Sequence, residues 1–213
     1  LKDNFLDRED LRQMLITRAP KYGTDSDYVD ELAREVLDYF VQRVKYYDQN
    51  YGDKKKKIKF STGAGSFEWY VNGGKYVGAT PDGRLAAMPL STNLSPSAGR
   101  AVKGHTAAIN SFTKLNLVDL SIGSPLDIGV EKKILEGEEG LKRLIALVQS
   151  FLDKGGNMLS INVNSVEELR EAQREPDRHR DLMVRVAGWQ AYFVDLTREH
   201  QDSIIARIEQ YGS

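Results

Sequence analysis

Apolar residues recur at helical spacing over several parts of the chain and gather into strand-like runs near its end. From Tyr28, the residues Val29, Leu32, Ala33, Val36, Leu37, Phe40, Val41 and Val44 fall on one stripe at a spacing of 3.6, which predicts a long amphipathic helix stopping near Asn50-Tyr51-Gly52. A short helix-like start precedes it, and Lys21 to Asp27 reads as a turn ending in Asp and Ser caps. A second periodic stretch runs from Gly140 to Leu152, with Gly155 placed to terminate it. Met158 to Val163 reads as a strand, with Ser160 and Asn162 on one face. Ser165 to Glu168 is a capping-box pattern opening a helix that runs toward Arg174 and is halted by Pro176. Leu182 to Ala187 and Trp189 to Leu196 form two apolar runs with Gly188 between them, and Thr197 is placed to cap a last helix holding Ile204, Ile205 and Ile208. Strands alternating with helices predict an α/β architecture.

Between Lys59 and Leu126 the texture changes to Gly, Pro, Ser and Thr with few periodic apolar residues. A loop region of that length is usually functional or packed against something else. Within it, His105 to Leu117 reads as a helix burying Ala108, Ile109 and Phe112. The cluster Lys54 to Lys57 reads as a solvated loop, since no aromatic or glycine nest frames it.

Composition narrows the function classes. The 213 residues carry 30 basic and 31 acidic side chains, a net charge of −1 that favours neither nucleic acid nor an anionic membrane as partner. No apolar run is long enough to span a bilayer and the N-terminus is charged, so a cytoplasmic protein is expected. There is no cysteine, which excludes disulfides, thiolate metal sites and a cysteine nucleophile within this chain. The chain begins at Leu1 without a methionine, and a fragment or one chain of a larger assembly is expected. His105, His179 and His200 stand in dissimilar contexts and support neither a metal site nor a triad. Asp82 reads as closing its own turn, and Glu136 to Glu139 as a solvated helix entrance.

A lone glycine between two strand-like runs ordinarily marks a bulge, a tight bend or a close backbone approach. The text around Gly188 is more specific. From Asp181 to Leu196, with Arg185, Val186, Gly188 and Trp189 filling an R-V-x-G-aromatic core, it closely resembles the signature of the glycyl radical enzymes, which are pyruvate formate-lyase-like. The resemblance extends upstream in the same order through Ala19 to Gly23, Gly78 to Arg84, Ser95 to Gly99, Gly104 to Lys114, and Asn157 to Gln173 with Pro176.

A Cα radical spreads into the flanking amide nitrogen and carbonyl and needs a planar α-carbon, a geometry in which a side chain would crowd the neighbouring peptide groups. The flank of Trp189, Tyr192, Phe193 and Val194 suits a buried loop that keeps water and oxygen away. Read from the residues alone, Trp189 is equally a core tryptophan, Arg185 equally a surface or ion-paired arginine, and Ser160 and Asn162 are ordinary polar strand positions.

The resemblance implies the C-terminal part of a ten-stranded α/β barrel, with residues 1–90 belonging to the barrel domain and 91–213 forming the glycine radical domain. It implies Gly188 as the radical site, with Arg185, Val186 and Trp189 supporting the loop. It also implies no bound cofactor or metal, a radical installed after translation by a radical-SAM activating enzyme, a cysteine loop in the remainder of the enzyme, and a homodimer in the full enzyme. Residues after the aromatic look like the dehydratase and lyase branch, cleaving C–O or C–N bonds. Two alternatives stand beside it: formate C-acetyltransferase (pyruvate formate-lyase), and an autonomous spare glycyl radical subunit without catalysis of its own. Substrate-binding residues are not identifiable here.

Overall fold

The computed structural model describes residues 1–53 and 55–212. In chain order its helices are α1 (Glu9–Thr17), α2 (Asp27–Tyr51), α3 (Trp69–Gly74), α4 (Gly104–Thr113), α5 (Gly137–Asp153), α6 (Val166–Arg174) and α7 (Arg198–Gly212). Its strands are β1 (Leu126–Glu131), β2 (Leu159–Asn164), β3 (Met183–Arg185) and β4 (Gln190–Tyr192). Lys54 of the predicted lysine loop lies outside the described residues; Lys55 to Lys57 are exposed, as a solvated loop requires.

β1 and β2 run parallel, in register from Leu126 beside Leu159 to Glu131 beside Asn164, and α5 makes the crossover between them. That is the βαβ unit a parallel pair needs. β3 and β4 form an antiparallel hairpin with Arg185 opposite Gln190. The α/β class therefore holds. β1 went unread in the sequence because Asp127 and Gly129 interrupt its apolar character, yet Leu126 to Val130 are all buried. Burial on both faces is the normal state of a parallel strand. Gly129 is required there by close approach: a Cβ would lie 2.8 Å from the Cα of Ile208, so α7 rests directly on the strand.

The main core joins Val41 of α2, Ala108, Ile109 and Phe112 of α4, Leu126, Ile128 and Val130 of β1, and Phe151 of α5. A second cluster sets Leu169 and Ala172 of α6 against Val184, Phe193, Ile204, Ile205 and Ile208, tying the hairpin to α7. The predicted α4 core residues Ala108, Ile109 and Phe112 are fully buried. Gly155 ends α5, its amide donating to the Leu152 carbonyl (2.9 Å), and the Ser165 hydroxyl accepts from the Glu168 amide as the capping pattern predicts. Thr197 stands directly before α7, its carbonyl accepting from the Gln201 amide at 3.0 Å.

Two expectations need correction. The α2 stripe is only partly a core face: Ala33, Leu37 and Val41 pack inward, whereas Leu32, Val36 and Phe40 are exposed. One i, i+4 line meets the core, and the apolar surface is wider than that contact. Nor does Ser26 cap α2, since its side chain makes no capping hydrogen bond. Instead Lys114 gathers the acidic turn, its ammonium donating to Asp25 (2.7 Å), Asp27 (2.7 Å) and the buried Asp30 (2.9 Å). Those bonds hold the start of α2 against the end of α4 and raise the Lys114 pKa above its ordinary value, against the desolvation that opposes them.

Candidate functional site

Gly188 stands at the tip of the β3–β4 hairpin. The Val186 amide donates to the Trp189 carbonyl at 2.9 Å, leaving Ala187 and Gly188 as a two-residue turn. Gly188 has φ +99°, while Ala187 is not among the residues with positive φ, the pattern of a type II turn. An added Cβ would meet nothing within 4 Å. At this site the backbone dihedral, and not space, selects glycine.

Side chains from three elements hold the hairpin. The first is β2, whose alternate residues Ser160, Asn162 and Asn164 are all buried. Asn162 Oδ1 accepts from the Arg185 amide (3.1 Å), the Ser160 hydroxyl accepts from Arg185 Nε (3.1 Å), and Asn164 Nδ2 donates to the Met183 carbonyl (3.3 Å). Polar side chains thus do for β3 what a backbone ladder would do, at the strand period of two. Ser160 and Asn162 are parts of the loop's support, not merely polar strand positions.

The second is Arg185 itself. Half-buried and oriented by Ser160, its Nη2 donates to the Gly188 carbonyl at 3.3 Å. The third is α7, a helix whose polar inner face the sequence reading missed. Gln201 Nε2 donates to the carbonyls of Phe193 (3.0 Å) and Leu196 (3.2 Å), and Arg207 Nη1 donates to the Val186 carbonyl at 3.0 Å. The available signal was spacing: His200, Gln201 and Arg207 share the buried side of the helix with Ile204 and Ile208. Val186 and Ala187 are buried with Tyr70 and Val71 of α3, and Tyr70 also packs against His200 and Arg207 of α7.

Among the described residues the tip is exposed. Gly188 is exposed, and Trp189 and Tyr192 keep 39% and 49% of their surface, while Phe193 is fully buried. Val184, Val186 and Phe193 are buried among residues of α6, α7 and α3, and Gly188, Trp189 and Tyr192 lie at the surface of the described residues. His105, His179 and His200 are not brought together, and among the described residues no group of three or more His, Asp or Glu side chains is placed to hold a metal. His105 stacks on Tyr211 at 4.4 Å and pairs with the Gly129 carbonyl, a structural position whose burial lowers its pKa.

Comparison with known proteins gives a consistent result. A family model described as glycine radical matches residues 90–194, and one described as pyruvate formate lyase-like matches residues 1–64. The probable dehydratase YbiW of Escherichia coli is 38% identical over 98% of this chain and 26% of its own length. The isethionate sulfite-lyase of Oleidesulfovibrio alaskensis is 37% identical over 98% of this chain and 25% of its own length. Among solved structures, the glycerol-bound glycerol dehydratase of Clostridium butyricum superposes with a TM-score of 0.89 at 36% identity, covering 98% of this chain and 26% of that one. The chain spans about a quarter of the length of the curated relatives it matches.

Proposed function

The chain belongs to the glycyl radical enzymes, and we propose that it is the radical-carrying portion of one, with Gly188 as the residue that stores the radical. The observation that carries the proposal is the hairpin tip. The glycine of the R-V-x-G-aromatic text sits at φ +99° with its own carbonyl held by the arginine of the same motif. Loss of one hydrogen atom from the Gly188 Cα to an activating enzyme of the radical-SAM class breaks the Cα–H bond and leaves the unpaired electron on that carbon. Delocalisation then runs into the Gly188 carbonyl, and a guanidinium donating to that oxygen favours the delocalised form.

Residues 91–213 act as the glycine radical domain and 1–90 as part of the barrel domain. The remainder of the enzyme bears the cysteine loop, on which the stored radical generates a thiyl, and covers the exposed face of Gly188, Trp189 and Tyr192. The full enzyme is read as a cytoplasmic homodimer. The reaction is proposed to be of dehydratase or lyase type, breaking a C–O or C–N bond. Relatives of both names match this segment almost equally, at 38% and 37%, so substrate choice is assigned to residues outside it. The match of residues 1–64 beyond the glycine radical segment favours part of a full enzyme over an autonomous spare subunit.

Oxygen offers the test. After anaerobic activation, air is expected to cut the chain at Gly188 and release the peptide that begins at Trp189, seen by mass spectrometry. Cleavage at a different residue, or equal cleavage in Gly188→Ala, would overturn the assignment.

A further inference from the structure

The glycine loop has one support that its own motif does not supply. Arg207 is 6% exposed, a long charged side chain taken inside from the middle of α7. Buried arginine is costly unless its charge and its N–H groups are used. Its Nη1 donates to the Val186 carbonyl, which in a closed type II turn would accept from the amide three residues on. The turn carbonyl is instead directed into the protein interior, onto a guanidinium. The guanidinium carbon lies 5.9 Å from the centre of the Tyr70 ring, and Tyr70 packs on Val186 and Ala187.

The interior also holds an opposite charge. Asp127 on β1 is fully buried; its amide donates to the Ser95 hydroxyl (2.8 Å) and its carboxylate accepts from Asn93 Nδ2. β1 is the strand on which α7 rests.

We propose that Arg207 is the positioning residue that fixes the glycine loop, clamping the Val186 carbonyl from α7. Arg185 and Arg207 then hold the turn from its two sides, at the Gly188 and Val186 carbonyls. The claim about the loop's conformation stands whether or not Gly188 carries a radical; only its meaning for catalysis rests on that reading.

Amide hydrogen exchange on the full chain tests it without activation. In Arg207→Met, exchange over residues 183–193 is expected to rise about tenfold to a hundredfold, the worth of a charged hydrogen bond, while β1 keeps its protection. Arg207→Lys retains the charge without the fork and is expected to fall between the two. The Asp127→Asn/Arg207→Met variant, which removes both buried charges, is measured beside it. A loop that exchanges faster in the double variant, with β1 still protected, supports the clamp. Unchanged exchange over 183–193 in either variant, or loss of protection spread equally over β1 and the hairpin in both, would overturn it.

Discussion

Replacing Gly188 with alanine separates two reasons for glycine at the hairpin tip. An L-residue held at positive φ costs about 1–2 kcal/mol. The lower entropy of alanine in the unfolded chain returns about 0.4–1 kcal/mol of that. Since an added Cβ meets nothing within 4 Å, no packing cost is added. The net loss is about 1 kcal/mol, or a melting temperature lower by about 2–4 °C for a chain of this size. Asparagine presents a larger side chain but tolerates positive φ better than alanine. Gly188→Asn is therefore expected to lose less stability than Gly188→Ala in thermal unfolding followed by calorimetry. If crowding governed the site, the order would invert. An asparagine variant less stable than the alanine variant would refute the reasoning, as would an alanine variant as stable as the wild type.

Gly129→Ala is the contrasting case: its Cβ would lie 2.8 Å and 2.9 Å from the Cα and N of Ile208, backbone atoms that cannot rotate away. Overpacking of that kind costs about 1–3 kcal/mol or more, and denaturant unfolding should show a loss larger than at Gly188. Lys114→Met strips the ammonium from Asp30, whose side chain is fully buried, and should cost about 3 kcal/mol, the low end for a broken buried pair because Lys114 is itself partly exposed. The same cluster sets a pH dependence. Hydrogen bonds from Lys114 and then Asn110 hold Asp25 below its ordinary value of 3.8, so its contribution is present above that value and is lost as pH falls through the lower folded one. Urea midpoints should fall with acidification below the ordinary carboxylate range in the wild type and change less in Lys114→Met; equal slopes would count against the cluster.

The legible parts of this chain were those where local chemistry and tertiary use agree. The existence of α2 and α5 and the Ser165 cap follow from residue spacing, whereas Gly188 stands out only through its resemblance to the glycyl radical signature. What stayed hidden has physical causes. β1 carries a charge, Asp127, that is acceptable inside only because Asn93 and Ser95 meet it from a distant loop. α3 contains Gly73 and Gly74, poor helix formers that read as a turn. Arg207 lies on a helix where an arginine reads as solvent-facing by default, and its carbonyl partner is 21 residues away. Phe193 is fully buried among residues of α6 and α7 while Trp189 and Tyr192 stay partly exposed, a division that their shared aromatic character does not show. The family resemblance singles out Gly188, and only the fold shows which side chains surround it.

The central claim is that Gly188 stores the radical, and electron paramagnetic resonance reads it most directly. The polypeptide, together with the cysteine-bearing remainder of the enzyme, is treated anaerobically with its activating enzyme, S-adenosylmethionine and a reductant. The predicted result is a doublet split by the single remaining α-proton, collapsing when glycine is deuterated at Cα and absent in Gly188→Ala. A doublet that persists in Gly188→Ala would contradict the assignment.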